Sequence, residues 1–579
     1  MLRTASLAAI LGAAAMVLVA AAPVAAAPRA ILPGHTPAFV HRIRPLGPAA
    51  GGRQFDVTLW LQPRDAGGLA QLAATVAGRG SGFLSPRQVQ ARFLPTAGSY
   101  RAVEAYLRGQ GLRVTETVPN RLFVQASGTV AQVSAAFAVG LQRYRLHGRT
   151  VIANDGDPSL PASLRGVVAA IGGLDGAAVA RPDVRLQGHE PQPFRHGPPP
   201  ANAGAALCAG FAPNGTPGYI PCPFTPQGLR AATGLGGRVP DGAGQTVAIV
   251  DAYGSPTLGA DVATFDRGFN LPGTRFRQIG RTITGGSAAD DVPGWQVETT
   301  LDVEWAHAFA PGAAINLYVA PNASGALFRT LDRIVATRAA HLISLSWGEP
   351  EYGTPAAQLR AQNTVFELAA LEGIGVAAAS GDCGDASACT GGVASAEFPA
   401  SSPWVTAVGG LSLLPHQSPV AWGTAICVQT QATPVGLPAC PSAAFAGGSG
   451  GGVSSLFTAP PWQTGATMRA TPDVALNADP YTGAWVAFQG GFGAVGGTSL
   501  AAPTFTGLMA LAHPYGLATP WLYGPARWAI TPVGNGTAGP LKYQGLSSGN
   551  LYHVYFGYDQ GLSGAQATGL GFPDRLFTR

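Results

Sequence analysis

Charge is what this chain has least of. Only 11% of its 579 residues are Asp, Glu, Lys or Arg, and Lys542 is the single lysine. The formal net charge of +5 is spread thinly, with no arginine run interleaved with aromatics, which excludes a nucleic-acid footprint. Sparse basic groups limit self-repulsion in acid, where surface carboxylates are protonated, although an Ala/Gly/Arg-rich composition also follows from base bias. After the N-terminus no apolar run is long enough to span a membrane. The six cysteines form no Cys-x-x-Cys pair, so zinc has no signature. An even number of cysteines favours disulfides in an exported chain, expected between sequence neighbours: Cys208 with Cys222, Cys383 with Cys389, Cys427 with Cys440. Other connectivities remain open. What is plentiful is glycine (80) and proline (49), the residues of turns, beside a 46% hydrophobic content able to fill large cores.

Four stretches are expected along the chain. Residues 1–27 carry Arg3, an apolar run from Leu7 to Ala22 and Pro23-Val24-Ala25-Ala26-Ala27, the layout of a secretory signal with a small-residue cleavage site. The mature protein should therefore be secreted, extracellular or periplasmic, with no membrane contact once the signal is gone. Residues 28–181 mix alternating segments such as Phe55 to Leu61 with amphipathic helices at Ser85 to Phe93 and Ser99 to Gly109, a small α+β domain. Residues 182–206 are rich in Gln, Pro, His and Gly without hydrophobic period, a linker suited to proteolytic processing. From 207 to 579 the pattern is α/β. Short apolar runs (Gln245 to Tyr253, Ala314 to Ala320, His341 to Trp347, Ile374 to Ser380, Trp404 to Gly409) alternate with helices at Ser255 to Phe269, Gly294 to Phe309, Ser324 to Ala340 and Ala356 to Glu372. That alternation predicts a mostly parallel sheet with helices on both faces, its reactive residues beyond the strand C-termini.

Three places on this frame offer chemistry. Gly497-Thr498-Ser499 opens an apolar helix candidate, where free N–H groups and the helix dipole suit a developing oxyanion; an ordinary N-cap is the plain alternative. Glu298 and Asp302 stand four apart on one helix face, close enough to share a proton. Such pairs are more commonly solvated, but Leu301 and Trp305 beside them argue for burial. Asp382 follows a buried strand in Ser380-Gly381-Asp382-Cys383, where most aspartates form Asx turns or caps. Asp251, closing the strand Ala248-Ile249-Val250, has no evident catalytic task. A serine nucleophile needs a base. Subtilisin-type enzymes carry theirs in a His-Gly-Thr-His segment, and none occurs here.

Glu298-x-x-Leu301-Asp302, Ser380-Gly381-Asp382, Phe398-Pro399-Ala400-Ser401-Ser402-Pro403 and Gly497-Thr498-Ser499-x-x-x-Pro503 occur in the order and approximate spacing of the sedolisins. The chain resembles these serine-carboxyl peptidases from about residue 40 onward. Leu84-Ser85-Pro86-Arg87-Gln88-Val89 and Val103-Glu104-Ala105-Tyr106-Leu107 resemble their activation prodomain. The resemblance implies a subtilisin-like sheet, and a secreted acid endopeptidase made as a zymogen and inhibited by its own prodomain. It acts on proteins or peptides, expected as a monomer. Glu298 would be the general base of Ser499, Asp302 would hydrogen-bond to Glu298, and protonated Asp382 would donate to the oxyanion. Ser346, Trp347 and Gly348 would present a strand edge to substrate, with Trp347 equally readable as a core aromatic. An exopeptidase of tripeptidyl-peptidase type shares the same residues, and a catalytically inactive exported binding protein is the reading from another class. Calcium, with no organic cofactor, is also implied. Phe556-Gly557-Tyr558-Asp559 resembles half of the family's site and Gln544 to Gly549 stands where an aspartate belongs, leaving Asp559, Gly557 and Leu546 as metal residues.

Overall fold

The computed structural model describes residues 28–577 except 147, 187–206, 211–217, 237–239, 286–290, 415–416, 430–443, 513–514, 535–541, 548–549 and 557–563. The expected signal segment therefore lies outside the described residues, as does most of the expected linker.

Period-two alternation builds the large sheet. In the strand Thr246–Ala252, Val247 and Ile249 enter one hydrophobic cluster with Leu301, Trp305, Phe505 and Leu508, whereas Ala248 and Val250 enter another with Leu327, Leu331 and Phe366. Both faces are thus buried, which is why the strand reads as an unbroken apolar run. The first cluster lies under the helices Val292–Phe309 and Thr498–Ala512, the second under Gly325–Thr337 and Ala356–Glu372. Across the eight-stranded sheet the order is Phe276–Ile279, Ala314–Ala320, Thr246–Ala252, Leu342–Leu345, Gly375–Ala379, Thr406–Ser412, with Val474–Asn477 and Val420–Ala421 both on the last of these. All pairings are parallel except that of Val420–Ala421. The doubly covered, mostly parallel sheet expected from the sequence is present.

The N-terminal unit uses the same device on a smaller scale. Its antiparallel sheet runs Arg113–Thr117, Phe123–Thr129, Gln54–Leu61, Val168–Gly172. Leu59 and Val124 face a private core with Val103, Leu107 and Phe137. Trp60 and Phe123, on the other face, join the peptidase cluster around Leu327 and Phe366, together with Leu69, Ala73 and Val76 of the helix Ala66–Arg79. The two units therefore share a hydrophobic interior. Polar contacts flank it: Glu116 reaches Arg329 (3.3 Å) and Arg333, and Asn120 Nδ2 donates to buried Asp332 Oδ1 at 2.7 Å.

Between the units the chain does not simply cross open solvent. Arg181–Pro182 pairs antiparallel with Trp347–Pro350, and Arg185–Leu186 pairs antiparallel with Gly491–Gly496. The first residues of the expected linker are thus ordered strands.

Candidate active site

The helix Thr498–Ala512 starts where the backbone must turn sharply. Gly497 has φ +98°, and a side chain there would collide with the Asp183 carbonyl oxygen at 2.1 Å and Asp382 Oδ2 at 2.8 Å. Glycine leaves a notch holding both oxygens. Farther in, Pro503 has no N–H to give the Ser499 carbonyl oxygen four residues back. That oxygen instead receives the Ser346 hydroxyl at 3.3 Å, so the missing helix bond ties Ser499 to the neighbouring strand end.

Ser499 Oγ donates to Glu298 Oε2 at 2.8 Å, with the Ser346 carbonyl oxygen also within reach at 3.0 Å. Glu298 and Asp302 project from one face of the buried helix Val292–Phe309, and neither exposes any surface. Asp302 Oδ1 accepts from the Ser346 hydroxyl at 2.7 Å. Glu298 Oε1 and Asp302 Oδ2 are both without a donor among the described residues, and two ionised carboxylates, acceptors only, hydrogen-bond to one another only through an added proton. Burial pushes Glu298 well above the ordinary carboxylate range, and the neighbouring charges of Asp302 and Asp251 add to it. Asp302 is raised likewise, by burial and then by Asp251. Asp251 is therefore part of this cluster although the sequence suggested no task for it; burial lifts it to about 7, and the Thr299 hydroxyl beside it donates to the Trp295 carbonyl oxygen at 2.8 Å. The available signal was a carboxylate closing an otherwise apolar strand.

Asp382 leaves the end of the strand Gly375–Ala379 on a turn fixed by Gly381 (φ +107°), with the Cys383–Cys389 disulfide closing the next loop as expected. Its Oδ1 accepts from Thr498 N at 2.7 Å and Thr498 Oγ1 at 3.0 Å, a cap on the helix that carries Ser499. Its Oδ2 accepts from Arg185 Nε at 3.3 Å. Burial raises Asp382 to about 6 against the lowering pull of Arg185. Cys222 is also disulfide-bonded; the expected pairs of Cys208 with Cys222 and Cys427 with Cys440 involve side chains outside the described residues.

The site is filled by the chain itself. Ser499 N donates to the Asp183 carbonyl oxygen at 3.0 Å, and Asp183 N donates to the Ser346 carbonyl oxygen at 3.2 Å. Pro182 lies opposite Trp347 and Arg181 opposite Gly348, so Ser346 to Gly348 do present a strand edge, here to residues 181–183. The Trp347 side chain is fully buried and donates Nε1 to the Val250 carbonyl oxygen at 2.7 Å, a core aromatic behind that edge. The Asp183 carboxyl is raised well above its ordinary range by burial first and then by Glu397 and Asp382. Glu397, lifted to about 7 by burial, lies against Gly348 and Gly381, where a Cβ would come within 2.6 Å and 2.7 Å of its carboxyl. Neither Asp183 nor Glu397 carries a motif that marks it in sequence. Asp559 and Gly557 lie outside the described residues, as does the Leu546 side chain; among the described residues no group of three or more His, Cys, Asp or Glu could hold a metal.

Residues 42–177 match the Pro-kumamolisin activation domain and residues 286–521 the subtilase family. Kumamolisin from Bacillus sp. (strain MN-32) is 30% identical over 533 residues, covering 86% of this chain and 87% of that protein. The chain belongs to the kumamolisin and sedolisin family of serine-type peptidases. Sedolisin from Pseudomonas sp. (strain 101) is 29% identical over 554 residues, 92% of this chain and 87% of the relative. Tripeptidyl-peptidase 1 of Canis lupus familiaris is 28% identical over 302 residues, 48% of this chain and 47% of that protein. Among solved structures, Pseudomonas sedolisin (serine-carboxyl proteinase) complexed with two molecules of pseudo-iodotyrostatin is similar, at 25% identity and TM-score 0.48, covering 61% of this chain and 96% of that one. As a family member with an activation domain, the chain places that domain against the peptidase core and the connecting residues in the cleft.

Proposed function

We propose that this protein is a secreted, acid-active endopeptidase made as a zymogen, cleaving peptide bonds through an ester on Ser499. The observation that carries it is the meeting at one point of Ser499 Oγ, Glu298 Oε2 at 2.8 Å, and a peptide carbonyl on Ser499 N–H at 3.0 Å. Glu298 takes the hydroxyl proton as Ser499 attacks and returns it to the leaving amine. A proton held between Glu298 Oε1 and Asp302 Oδ2 satisfies two otherwise unpartnered buried oxygens and leaves Oε2 as the acceptor for Ser499. Asp382, once protonated, gives the oxyanion a second donor beside Ser499 N–H. That role requires acid, because the group is neutral only below about 6. An imidazole base would be charged under those conditions.

Endopeptidase action is favoured over tripeptide release by the course of residues 180–186. The chain continues on both sides of Asp183, pairing with Trp347 and Gly348 before it and with Val495 and Gly496 after it; upstream, Ala180 N donates to the Ala323 carbonyl oxygen at 2.8 Å. A cleft that admits more than three residues ahead of the reacting carbonyl suits internal bonds. Ser499 on Glu298, with Asp302 on the adjoining Ser346 and Asp382 on the adjoining Thr498, speaks against an inactive binding protein. Protein substrates, export and a monomeric state belong to the same reading. Calcium held near Asp559, Gly557 and Leu546 remains part of the family-based proposal and enters no step above.

Casein at about pH 4 tests it. The processed wild-type protein should yield internal fragments and the Ser499→Ala full chain none; regular three-residue release would favour the exopeptidase, and equal activity of the variant would remove the mechanism.

A further inference from the structure

Resting on the peptidase reading, the geometry points to the Asp183–Val184 bond as the first one this chain cuts, with Arg185 as the latch that holds the cut back until acid releases it. Residues 181–186 lie in the cleft as a substrate would. Residues 181 and 182 pair with one strand, 185 and 186 with another, and the carbonyl between them sits on Ser499 N–H at 3.0 Å. No other carbonyl of the segment is given to the nucleophile's N–H. The bond is therefore presented, yet the oxyanion site is incomplete.

What it lacks is the second donor. Both oxygens of Asp382 are engaged as acceptors: Oδ1 by Thr498 N and Oγ1, Oδ2 by Arg185 Nε at 3.3 Å. The Arg185 guanidinium also reaches the Asp382 carbonyl oxygen and Cys383 Sγ, each at 3.5 Å. An Asp382 paired in this way is an anion, and the notch at Gly497 places its Oδ2 beside the Asp183 carbonyl oxygen. There it would oppose the negative charge that attack creates. Protonation of Asp382 ends the ion pair and turns the same oxygen into a donor toward that carbonyl. The charged and titratable groups that face Asp382 are Asp183 and Arg185 on the connecting segment and Glu397 of the strand Glu397–Phe398; Arg181 faces Asp183 and Glu397. Of these, Arg185 is the cation bound directly to Asp382, and burial opposes it.

The step balances without outside reagents other than water. Ser499 Oγ bonds to the Asp183 carbonyl carbon, the bond to Val184 nitrogen breaks, and the hydroxyl proton passes through Glu298 to the new Val184 amine. Water then opens the ester, leaving a carboxyl on Asp183. The latch is selective for self-processing because it is carried by the segment being cut.

The test follows full-chain self-cleavage between about pH 3 and 7, mapping the first new N-terminus by mass spectrometry in wild type, Arg185→Gln and Arg185→Lys. Val184 should be that N-terminus. The pH at which cleavage is half-maximal should rise by at least half a unit in Arg185→Gln and stay near wild type in Arg185→Lys, which keeps the cation. A different first bond, or the same midpoint in all three, overturns the inference while leaving the peptidase reading intact. Absence of both self-cleavage and casein hydrolysis in the wild type would instead overturn the peptidase reading itself.

Discussion

Ser499 is defined by what surrounds it rather than by its own chemistry. Its hydroxyl meets a carboxylate at 2.8 Å, its N–H holds a carbonyl, and its own carbonyl is freed by Pro503 and taken by Ser346. In the proposed mechanism Asp382 is the residue whose protonation state decides the outcome. In Asp382→Asn, Oδ1 can still accept from Thr498, so the fold and helix cap survive. The amide donates at every pH but less strongly than a neutral carboxyl. Turnover should fall on the order of ten- to a hundredfold, and the neutral-side loss of activity should vanish from the pH profile of the processed enzyme. A variant that keeps the wild-type neutral limb would reject the oxyanion role.

At the scale of elements, periodicity exposed most of the peptidase scaffold. The strand Ala314–Ala320 and the helix Ala356–Glu372 fall where the apolar pattern put them, and the helix at Glu298 begins two residues earlier because Asp291 caps it and Pro293 sits in its first turn. His341 to Trp347 read as one strand but breaks in two: Leu342–Leu345 stays in the large sheet, whereas Trp347–Pro350 leaves it to pair with Arg181–Pro182 and Glu397–Phe398. A local apolar run carries no information about a change of partner. The same limit hid the antiparallel sheet of Gly423–Gln429, Ala444–Gly448, Lys542–Ser547 and Asn550–Phe556, whose central pairing, Gly423–Gln429 with Asn550–Phe556, joins residues more than a hundred apart. Glu298, Asp302, Asp382 and Ser499 were legible because residue type and motif spacing coincide. Asp183, Asp251, Glu397 and Arg185 were not, since only the crossing of separate elements brings them to the cleft.

Across the whole molecule, buried acids whose desolvation outweighs any nearby cation set the conditions in which it is stable. Burial raises Asp175, Asp332 and Glu367 to about 7 and Glu349 and Glu372 to about 8. Asp175 of the activation domain and Glu349 of the peptidase face one another. A folded pKa above the unfolded value means that stability is fully present below the ordinary carboxylate pKa, near 4, and is lost progressively as pH rises from there through 7 and 8. Calorimetry of the Ser499→Ala full chain should therefore show its highest Tm in acid and a decline between about pH 4 and 8; a Tm that climbs toward neutrality would contradict this reading. On the proposed mechanism, acid favours the fold and the chemistry together. The central claim is that a carboxylate, not an imidazole, deprotonates Ser499, and single-turnover acylation at about pH 4 tests it most directly. Processed wild-type enzyme should form an ester on Ser499 detectable by intact mass, and Glu298→Gln should form it on the order of a hundred- to ten-thousandfold more slowly; acylation at the wild-type rate in that variant would contradict the account.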